Sequence, residues 1–315
     1  MQEFLWCEKY RPSTIEESIL PEHLEKTFSD IVAEGDLPNM LFSGTAGLGK
    51  TTVARALCDS LDMDYIIING SEDGNIDTLR TKIRRFASSV SLTSNKKCVI
   101  LDEADYLNAQ STQPALRGFI EQFSDNCRFI LTCNFKNKII EPLHSRCSVY
   151  EFNTSKKEMA TLCQRMLDRV LFVLKEEGVE NVNTGEVASL IMRYAPDWRR
   201  VMNELQRFSI GGTLNLPKNV TDPSTISGNY DQLFESLKKK DFKKMRSWVA
   251  QNADTDSVQI FRTIYDRMYE VSEHQSIPQL VVILADYQYK NAFVADHELN
   301  TVACMTELMT SVEFK

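Results

Sequence analysis

The amino-acid sequence predicts an α/β fold in which a parallel β-sheet domain is followed by helices alone. Three observations support this class. Short apolar segments alternate with segments of helical periodicity in the first half, a glycine-rich loop joins one such strand to the next helix, and the strand pattern ends near Ser155. The apolar segments lack alternating polarity, which is typical of strands in a sheet that is covered on both faces.

Strands and helices alternate along the first half after a short extended start. A helix over 21–33 precedes a strand over 39–43, and the glycine-rich loop then leads into a helix over 51–61. Strands are also predicted over 65–69, 98–101, 127–132 and 148–152, and helices over 76–90 and 113–122. This repeated order predicts that the strands form a parallel sheet.

The second half of the chain is predicted to be helical. Apolar residues at helical spacing, including Met159, Met166 and Val170, run along 156–177. Residues 211–230 are rich in Gly, Pro, Asn, Ser and Thr, which is the composition of a linker. We expect a sheet domain over 1–153, a small helical lid domain over 154–211, a linker over 212–230, and an all-helical domain over 231–315.

Composition and charge limit the classes of function only broadly. The chain of 315 residues has a net charge of −8, which argues against a uniformly basic nucleic-acid binder but allows a local basic surface. Its eight cysteines form no CxxC pair, and the start MQEFLWCEKY lacks the features of a secretory signal. No apolar run approaches the roughly 20 residues that span a bilayer. We expect reduced thiols, a cytoplasmic protein and no membrane partner.

The glycine-rich loop GTAGLGKT, from Gly44 to Thr51, fits the pattern GxxxxGK[ST] of loops that bind nucleoside triphosphates. It lies between a predicted strand and a predicted helix, a context that favours this interpretation over a chance glycine turn. The backbone N–H groups of residues 46–51 are expected to surround the phosphates. Lys50 is expected to neutralise the β- and γ-phosphate oxygens and Thr51 to bind Mg²⁺, so the expected ligands are ATP and Mg²⁺.

Two carboxylates end the buried strand of CVILDEAD. Asp102 is expected to hold Mg²⁺ through water, and Glu103 to polarise the water that attacks the γ-phosphate. Without the loop upstream, such a pair is more often an ordinary solvated strand end. With the loop, the catalytic interpretation is favoured.

Three further polar residues are candidates for the same site. Asn134 follows the strand FILTCN and is expected to orient the attacking water, although Asn is also a common turn residue. Arg146, in HSRC, precedes the last strand and could reach a neighbouring subunit's nucleotide; the alternative is a surface arginine. Arg199, in PDWRR, is predicted at a helix start, where it could couple the nucleotide to the angle between two domains or be a solvated charge.

Five short motifs together resemble the AAA+ subunits of sliding-clamp loaders. They are EKYRP at 8–12, the loop GTAGLGKT, LDEAD at 101–105, TCN at 132–134 and SRC at 145–147. The first and the last separate this family from most AAA+ proteins, and the resemblance covers at least residues 8–210. It implies an AAA+ P-loop ATPase domain, a helical lid and an all-α C-terminal collar for oligomerisation.

Within the family, the chain looks most like the large, ATP-hydrolysing subunit of the loader of T-even-type tailed phages. The short chain, the absence of a four-cysteine zinc module, the low basicity and the opening YRPSTIEESILPE support this. Archaeal and eukaryotic small subunits of the replication factor C type are the nearest competitors. The resemblance implies a hetero-pentameric loader, with four copies of this subunit and one different subunit in the phage version, in the cytoplasm of the bacterial host.

In such a loader, ATP binding would let the ring grip and open the sliding clamp. Primer-template DNA, bound without sequence specificity, would stimulate hydrolysis, and the closed clamp would then be released for processive replication. The nucleotide-binding residues that the resemblance implies are Glu8, Tyr10, Arg11, Pro12, Gly44, Thr45, Ala46, Gly47, Leu48, Gly49, Lys50, Thr51, Thr52 and Arg199. Lys50, Glu103, Asn134 and Arg199 would act in catalysis within the chain, and Arg146 would act in trans.

The resemblance also implies contacts with DNA and clamp. Arg80 and the helix start at Ser111 and Thr112 would touch the template backbone, and Gln113 would couple the ATP site to DNA. The family's pattern around this glutamine is like AQxALRR, whereas this chain has Pro114 and Gly118 and lacks the second arginine. Phe86, Val90 and Leu92 would press into the clamp; alternatively, Phe86 and Val90 are core residues of an amphipathic helix.

The sequence is also compatible with two other functions. One is a different AAA+ ATPase that remodels DNA, such as a branch-migration or initiator protein, which usually carries a winged helix after the lid. The other is a nucleotide-gated scaffold subunit that never hydrolyses ATP. The presence of Glu103 and Arg146 argues against the scaffold.

Overall fold

A computed structural model of the chain describes residues 4–72, 75–89, 96–217, 228–253 and 257–315. The chain divides into two compact units, Met1–Pro217 and Lys218–Lys315, and each is considered by itself. The boundaries predicted at 153/154 and 211/212 both fall inside the first unit. The division into a sheet domain and a lid domain therefore stays a prediction.

A five-stranded parallel sheet forms the centre of the first unit. Its strands are β1 (Met40–Ser43), β2 (Asp64–Asn69), β3 (Lys97–Asp102), β4 (Cys127–Cys133) and β5 (Ser148–Glu151). Their order in the sheet is β2-β3-β4-β1-β5, and every neighbouring pair is parallel. In the centre, Leu41 of β1 pairs with Leu131 of β4 and Val149 of β5. The predicted α/β class is confirmed.

The sheet is covered on both faces, as the lack of alternating polarity in its strands predicts. All four residues of β1 are buried. Because side chains alternate across a strand, its residues belong to two cores. Met40 and Phe42 pack in a cluster with Phe28, whereas Leu41 packs in a second cluster with Phe129.

Six α-helices accompany the sheet in the described part of the first unit, and three of them, including an unpredicted turn over 141–144, differ from the predicted pattern. They are α1 (Trp6–Lys9), α2 (Glu22–Glu34), α3 (Lys50–Ser60), α4 (Ile76–Ser88), α5 (Thr112–Gln122) and α6 (Glu141–His144). The start was predicted to be extended, but α1 forms one helical turn with Trp6 buried; four residues are too few to show periodicity. The helix predicted to reach residue 90 ends at Ser88, where the Lys97 ammonium binds the Phe86 carbonyl at 2.9 Å.

Three helices follow the sheet within the first unit: α7 (Lys156–Glu176), α8 (Thr184–Tyr194) and α9 (Trp198–Phe208). Side chains that accept backbone N–H bonds define their starts. Ser155 and Glu158 form a reciprocal capping box at α7, and Asp197 caps α9 by accepting from the Arg200 N–H at 3.0 Å. The helix predicted over 156–177 is thereby confirmed to within one residue.

The second unit is helical in its described part and has a hydrophobic core of its own. Its helices are α10 (Gly228–Lys238), α11 (Phe242–Gln251), α12 (Ser257–Asp266), α13 (Met268–Val271), α14 (Ile277–Asn291) and α15 (His297–Ser311). Leu233, Trp248, Phe261 and Leu308 are among the residues of that core. No helix in the described part of the chain is both long enough and apolar enough to cross a membrane, and all eight cysteines are free.

Candidate active site

The glycine-rich loop connects β1 to α3 at the carboxyl end of the sheet. Gly47 and Gly49 have φ angles of +79° and +85°, a region that L side chains adopt only with strain. Helix α3 begins at Lys50, and its N-cap Gly49 gives no side-chain cap, so the first N–H groups of the helix are available to an anion. Residues 46–53 line a cleft of about 1120 Å³, a volume that includes space open to solvent.

Lys50 lies inside this cleft and is only 8% exposed. Its ammonium donates to the carbonyls of Gly44 and Thr45 at 2.7 and 2.8 Å, and to Oδ1 of Asn134 at 2.9 Å. Burial lowers the pKa of Lys50 below its ordinary value. The Lys50 ammonium therefore connects the start of α3 to the glycine-rich loop and to Asn134, the residue after β4.

Asp102 lies at the end of β3 and receives two hydroxyl groups on one carboxylate oxygen. Thr51 Oγ1 donates to Asp102 Oδ1 at 2.6 Å, and Thr132 Oγ1 of β4 donates to the same atom at 2.5 Å. Hydroxyl and carboxylate oxygens are the ligands that Mg²⁺ prefers. The described residues contain no group of three or more His, Cys, Asp or Glu that could hold a metal. The Thr51 hydroxyl and the Asp102 carboxylate fit a Mg²⁺ whose other ligands are phosphate and water.

Glu103 also lines the cleft, one residue beyond the strand. Its backbone is left-handed, with φ +54° and ψ +44°, and its N–H donates to Thr132 Oγ1 at 3.1 Å. Such a conformation costs a non-glycine residue about 1–3 kcal/mol and is common at functional sites. Gly70, after β2, allows it: a Cβ there would lie 2.5 Å from the Glu103 carbonyl oxygen.

Asp105 fixes the loop that carries Asn134. Its Oδ2 accepts the backbone N–H groups of Asn134 and Phe135 at 3.3 and 3.2 Å. The residue is 7% exposed, and its Oδ1 is buried without a hydrogen-bond partner among the described residues. The motif LDEAD therefore contributes Asp102 and Glu103 to the cleft, and its last residue, Asp105, binds the backbone that follows β4.

A second wall of the cleft comes from the N-terminal segment and from the helices α7 and α9. Tyr10, Arg11 and Pro12 line the cleft, and Arg11 donates to Thr52 Oγ1 at 3.1 Å. Glu8 is not among the lining residues; its carboxylate pairs with the Arg11 guanidinium. The other lining residues of this wall are Cys7, Ser18, Ile19, Leu20, Met166, Arg169, Trp198, Arg199 and Met202.

Helix α9 begins directly beside the glycine-rich loop. The N–H of Trp198 donates to the Gly47 carbonyl at 3.2 Å, and a Cβ on Gly47 would lie 1.8 Å from Oδ1 of Asp197. Arg199 lines the cleft, whereas the Arg200 guanidinium lies 4.6 Å from the centre of the Tyr194 ring. Of the two adjacent arginines, Arg199 is the one placed to meet a nucleotide.

Arg146 lies outside the cleft of its own chain. Its Nε and Nη2 donate to Glu121 Oε1 at 2.9 and 2.5 Å, and Nη1 donates to the Pro142 carbonyl at 2.8 Å. The hydrogen bond with Arg146 lowers the pKa of Glu121. Within a single chain, therefore, this guanidinium is held by α5 and α6 and is not among the residues that line the cleft.

Comparisons with known proteins identify relatives that are ATPases or subunits of sliding-clamp loaders. The family model described as ATPase family associated with various cellular activities (AAA) matches residues 40–154. The sliding-clamp-loader large subunit of Escherichia phage RB69 is 33% identical over 319 residues, which cover 100% of this chain and 98% of that protein. The chain belongs to the sliding-clamp-loader family of AAA ATPases. The replication factor C small subunit of Natronomonas pharaonis is 30% identical, over 96% of this chain and 94% of its own.

Among solved structures, this clamp-loader family member is similar in fold to the Thermotoga maritima RuvB Holliday junction branch migration motor. The TM-score is 0.52 over 92% of this chain and 90% of that chain, at 18% identity. At this identity the similarity concerns the fold alone.

Gln113 is buried and connects two parts of the site. Its Nε2 donates to the carbonyls of Leu107 and Lys138, both at 3.0 Å, and its Oε1 accepts the Ile140 N–H at 2.9 Å. Leu107 lies in the segment after Asp102 and Glu103, whereas Lys138 and Ile140 lie in the segment after Asn134. This placement suits the coupling role expected for Gln113, which stays a prediction.

Of the residues expected to contact DNA and clamp, the structure describes Arg80, Phe86, Ser111 and Thr112, and none of these four lines the cleft. Arg80 and Ser111 are exposed. Thr112 is 1% exposed, and its N–H donates to the Asn108 carbonyl; the DNA contact expected for this residue stays a prediction. Phe86 is half-buried against the core beside α4. Val90 and Leu92 lie outside the described residues.

Sequence reasoning missed several residues of the site. Asp105 and Thr132 belong to motifs that the sequence shows, but their hydrogen-bond partners come from distant parts of the chain: Asn134 and Phe135 for Asp105, and Asp102 for Thr132. Gly70 and Arg169 carry no motif at all, and only the fold brings them to Glu103 and to the cleft. Cys133 also lines the cleft, where burial raises the pKa of its thiol to about 11, so it remains neutral near pH 7.

Proposed function

We propose that this chain is an ATP-hydrolysing subunit of a sliding-clamp loader and that primer-template DNA and the clamp stimulate its turnover. One observation carries the proposal: a single cleft contains the charged and polar groups that phosphoryl transfer needs. They are Lys50, Thr51, Asp102, Glu103, Asn134 and Arg199. Identity of 33% along the whole chain to the sliding-clamp-loader large subunit of phage RB69 supports the choice of loader over other AAA ATPases.

The proposed chemistry assigns one task to each group. The N–H groups at the start of α3 and the Lys50 ammonium bind the phosphates and neutralise charge that develops on the transferred group. Thr51 Oγ1 and Asp102 Oδ1 would hold Mg²⁺, which when bound supplies further positive charge to the β- and γ-phosphates. Glu103 accepts a proton from the attacking water, and Asn134, fixed by Asp105, orients that water. General-base catalysis of this kind contributes about 10²–10⁴-fold.

The site is proposed to be complete only in an assembly. Arg146 does not line the cleft of its own chain but is held at the chain's surface by Glu121 and Pro142. In the proposed loader it reaches the nucleotide of a neighbouring subunit and stabilises the transition state. The proposed assembly is a hetero-pentamer, with four copies of this chain and one different subunit.

Helix α4 is the proposed DNA-facing element. It carries four exposed basic residues, Arg80, Lys82, Arg84 and Arg85, on a chain whose net charge is −8. Basic groups that contact phosphates position a protein on DNA without reading its sequence, and they make the affinity salt-dependent. Ser111 is proposed as a second contact, and Phe86, Val90 and Leu92 are proposed to meet the clamp.

ATP turnover by the assembled loader tests the proposal. We expect primed DNA and the cognate clamp to raise turnover, and we expect Glu103→Gln to keep ATP affinity while abolishing turnover, because the amide cannot accept the proton. The loader function fails if neither DNA nor clamp changes the rate. Retained turnover in Glu103→Gln would assign the base to another residue.

A further inference from the structure

Two arginines of α7 hold the segment that forms one wall of the nucleotide cleft. Arg165 and Arg169 are four residues apart and therefore lie on the same face of the helix. Arg165 donates to the Ser18 carbonyl at 3.0 Å and pairs with the Glu25 carboxylate. It lies within 3.4 Å of the carbonyls of Glu16 and Leu20 as well.

Arg169 holds the other end of the same segment. Its Nη2 donates to the Tyr10 carbonyl at 2.8 Å, and its Nη1 lies 3.4 Å from the Glu17 carbonyl. The side chain lines the cleft and is largely buried, and this burial lowers the pKa of its guanidinium. Hydrogen bonds from a charged donor are stronger than neutral ones, and the planar guanidinium can reach two acceptors at once.

The segment from Tyr10 to Leu20 needs such partners because it is neither helix nor strand. Backbone carbonyls outside regular structure must find other donors when they are buried. Tyr10, Arg11 and Pro12 line the cleft near one end of the segment, and Ser18, Ile19 and Leu20 line it near the other. On its opposite side the segment is tied to α3 through the bond from Arg11 to Thr52 Oγ1 at 3.1 Å.

We propose that Arg165 and Arg169 are positioning residues that hold this wall in the shape that receives the nucleoside part of the ligand. The pair acts on the base and ribose end of the cleft, whereas the loop, Lys50 and Thr51 act on the phosphates. The proposal rests on the ATP site proposed above. It assigns the lid helix α7 a direct part in nucleotide affinity through its contacts with carbonyls of the segment.

Binding of two ligands by the isolated chain separates the two ends of the cleft. The ligands are MgATP and inorganic tripolyphosphate, which has the phosphates but no nucleoside, and calorimetry gives both dissociation constants. We expect Arg169→Ala to weaken ATP binding about tenfold, as when a charged hydrogen bond is lost, and to leave tripolyphosphate binding unchanged. Arg169→Lys keeps one donor for the Tyr10 carbonyl and should give an intermediate ATP affinity.

The matched control is Arg207→Ala. Arg207 belongs to α9, pairs with Glu204 at 3.5 Å and is 70% exposed, so its loss should change neither dissociation constant. Thermal unfolding shows whether each variant is folded, and Arg169→Lys serves if Arg169→Ala is not. Unchanged ATP affinity in a folded Arg169 variant, or an equal loss for both ligands, would overturn the proposal. Absence of ATP binding by the unaltered chain would instead contradict the proposed ATP site.

Discussion

At the scale of single residues, Lys50 shows how burial and charge determine the behaviour of the site. The ammonium is 8% exposed and is stabilised by two carbonyls and one amide oxygen, none of which carries a full negative charge. Burial therefore lowers its pKa. A bound triphosphate would add negative charge and favour the protonated form.

This arrangement predicts that ATP affinity falls as the pH rises above the lowered pKa of Lys50 in the free protein. The pKa of Lys50 is lowered in the free protein and is expected to be higher in the complex. Between these two pKa values, binding takes up a proton, so affinity decreases by at most about tenfold per pH unit. Calorimetric dissociation constants from pH 7 to pH 10 measure the slope. In Lys50→Met, binding should be weaker throughout and this slope should disappear; an unchanged slope would assign the titration to another group.

The sequence predicts the residues of the site wherever a motif fixes both a residue and its surroundings. Lys50, Thr51, Asp102 and Glu103 follow from two motifs at the ends of predicted strands. Thr112 shows what a motif does not predict. Its position in a motif suggests contact with DNA, but its burial depends on how α5 packs against neighbouring segments, which no local pattern encodes.

At the scale of elements, the glycine-rich loop and the start of α9 are packed too closely for a side chain between them. Gly47 has φ +79°, and its carbonyl accepts the Trp198 N–H at 3.2 Å. This contact places Arg199 at the cleft. The sequence predicts the loop and a helix near Arg199 separately. It does not predict that they touch, because the contact joins residues about 150 positions apart.

Gly47→Ala should therefore separate α9 from the loop. Its Cβ would lie 1.8 Å from Asp197 Oδ1, in addition to the left-handed strain of about 1–2 kcal/mol. We expect lower stability in denaturant unfolding and an ATP affinity at least about tenfold weaker, because both the loop and Arg199 are displaced.

Gly35→Ala is the matched control for this change. Gly35 ends α2 with φ +72°, and a Cβ there would meet nothing within 4 Å. Gly35→Ala should introduce a similar backbone strain, lower the stability by a similar amount, and keep its ATP affinity. Equal affinities in Gly47→Ala and Gly35→Ala would show that the contact between loop and helix does not matter for binding.

At the scale of the whole molecule, the chain consists of two units with separate cores. Helical periodicity predicted the all-helical character of the C-terminal part, and the structure has six helices there within the described residues. The first predicted boundary depends on the end of the strand pattern near Ser155 and the linker depends on composition, and neither signal reveals which helices share a core. The α7–α9 region belongs to the same unit as the sheet.

The position of Arg146 relative to the cleft also concerns the molecule as a whole. The groups proposed to bind and cleave ATP lie on one chain, while the arginine expected to complete the site is not among the residues lining that chain's cleft. ATP turnover is therefore expected to depend on neighbouring subunits. An isolated chain should bind ATP but hydrolyse it slowly, since a missing arginine of this kind costs about 10³-fold or more.

Mixing two inactive variants tests this central claim most directly. Glu103→Gln removes the base and Arg146→Ala removes the arginine, so assemblies of either variant alone should hydrolyse little ATP. In assemblies formed from equal amounts of both, random mixing gives about a quarter of the interfaces an intact Glu103 facing an intact Arg146. We predict that turnover rises well above that of either variant, and that Glu103→Gln mixed with the double variant gives no rise. Turnover in the first mixture equal to the average of the separate variants would contradict the account.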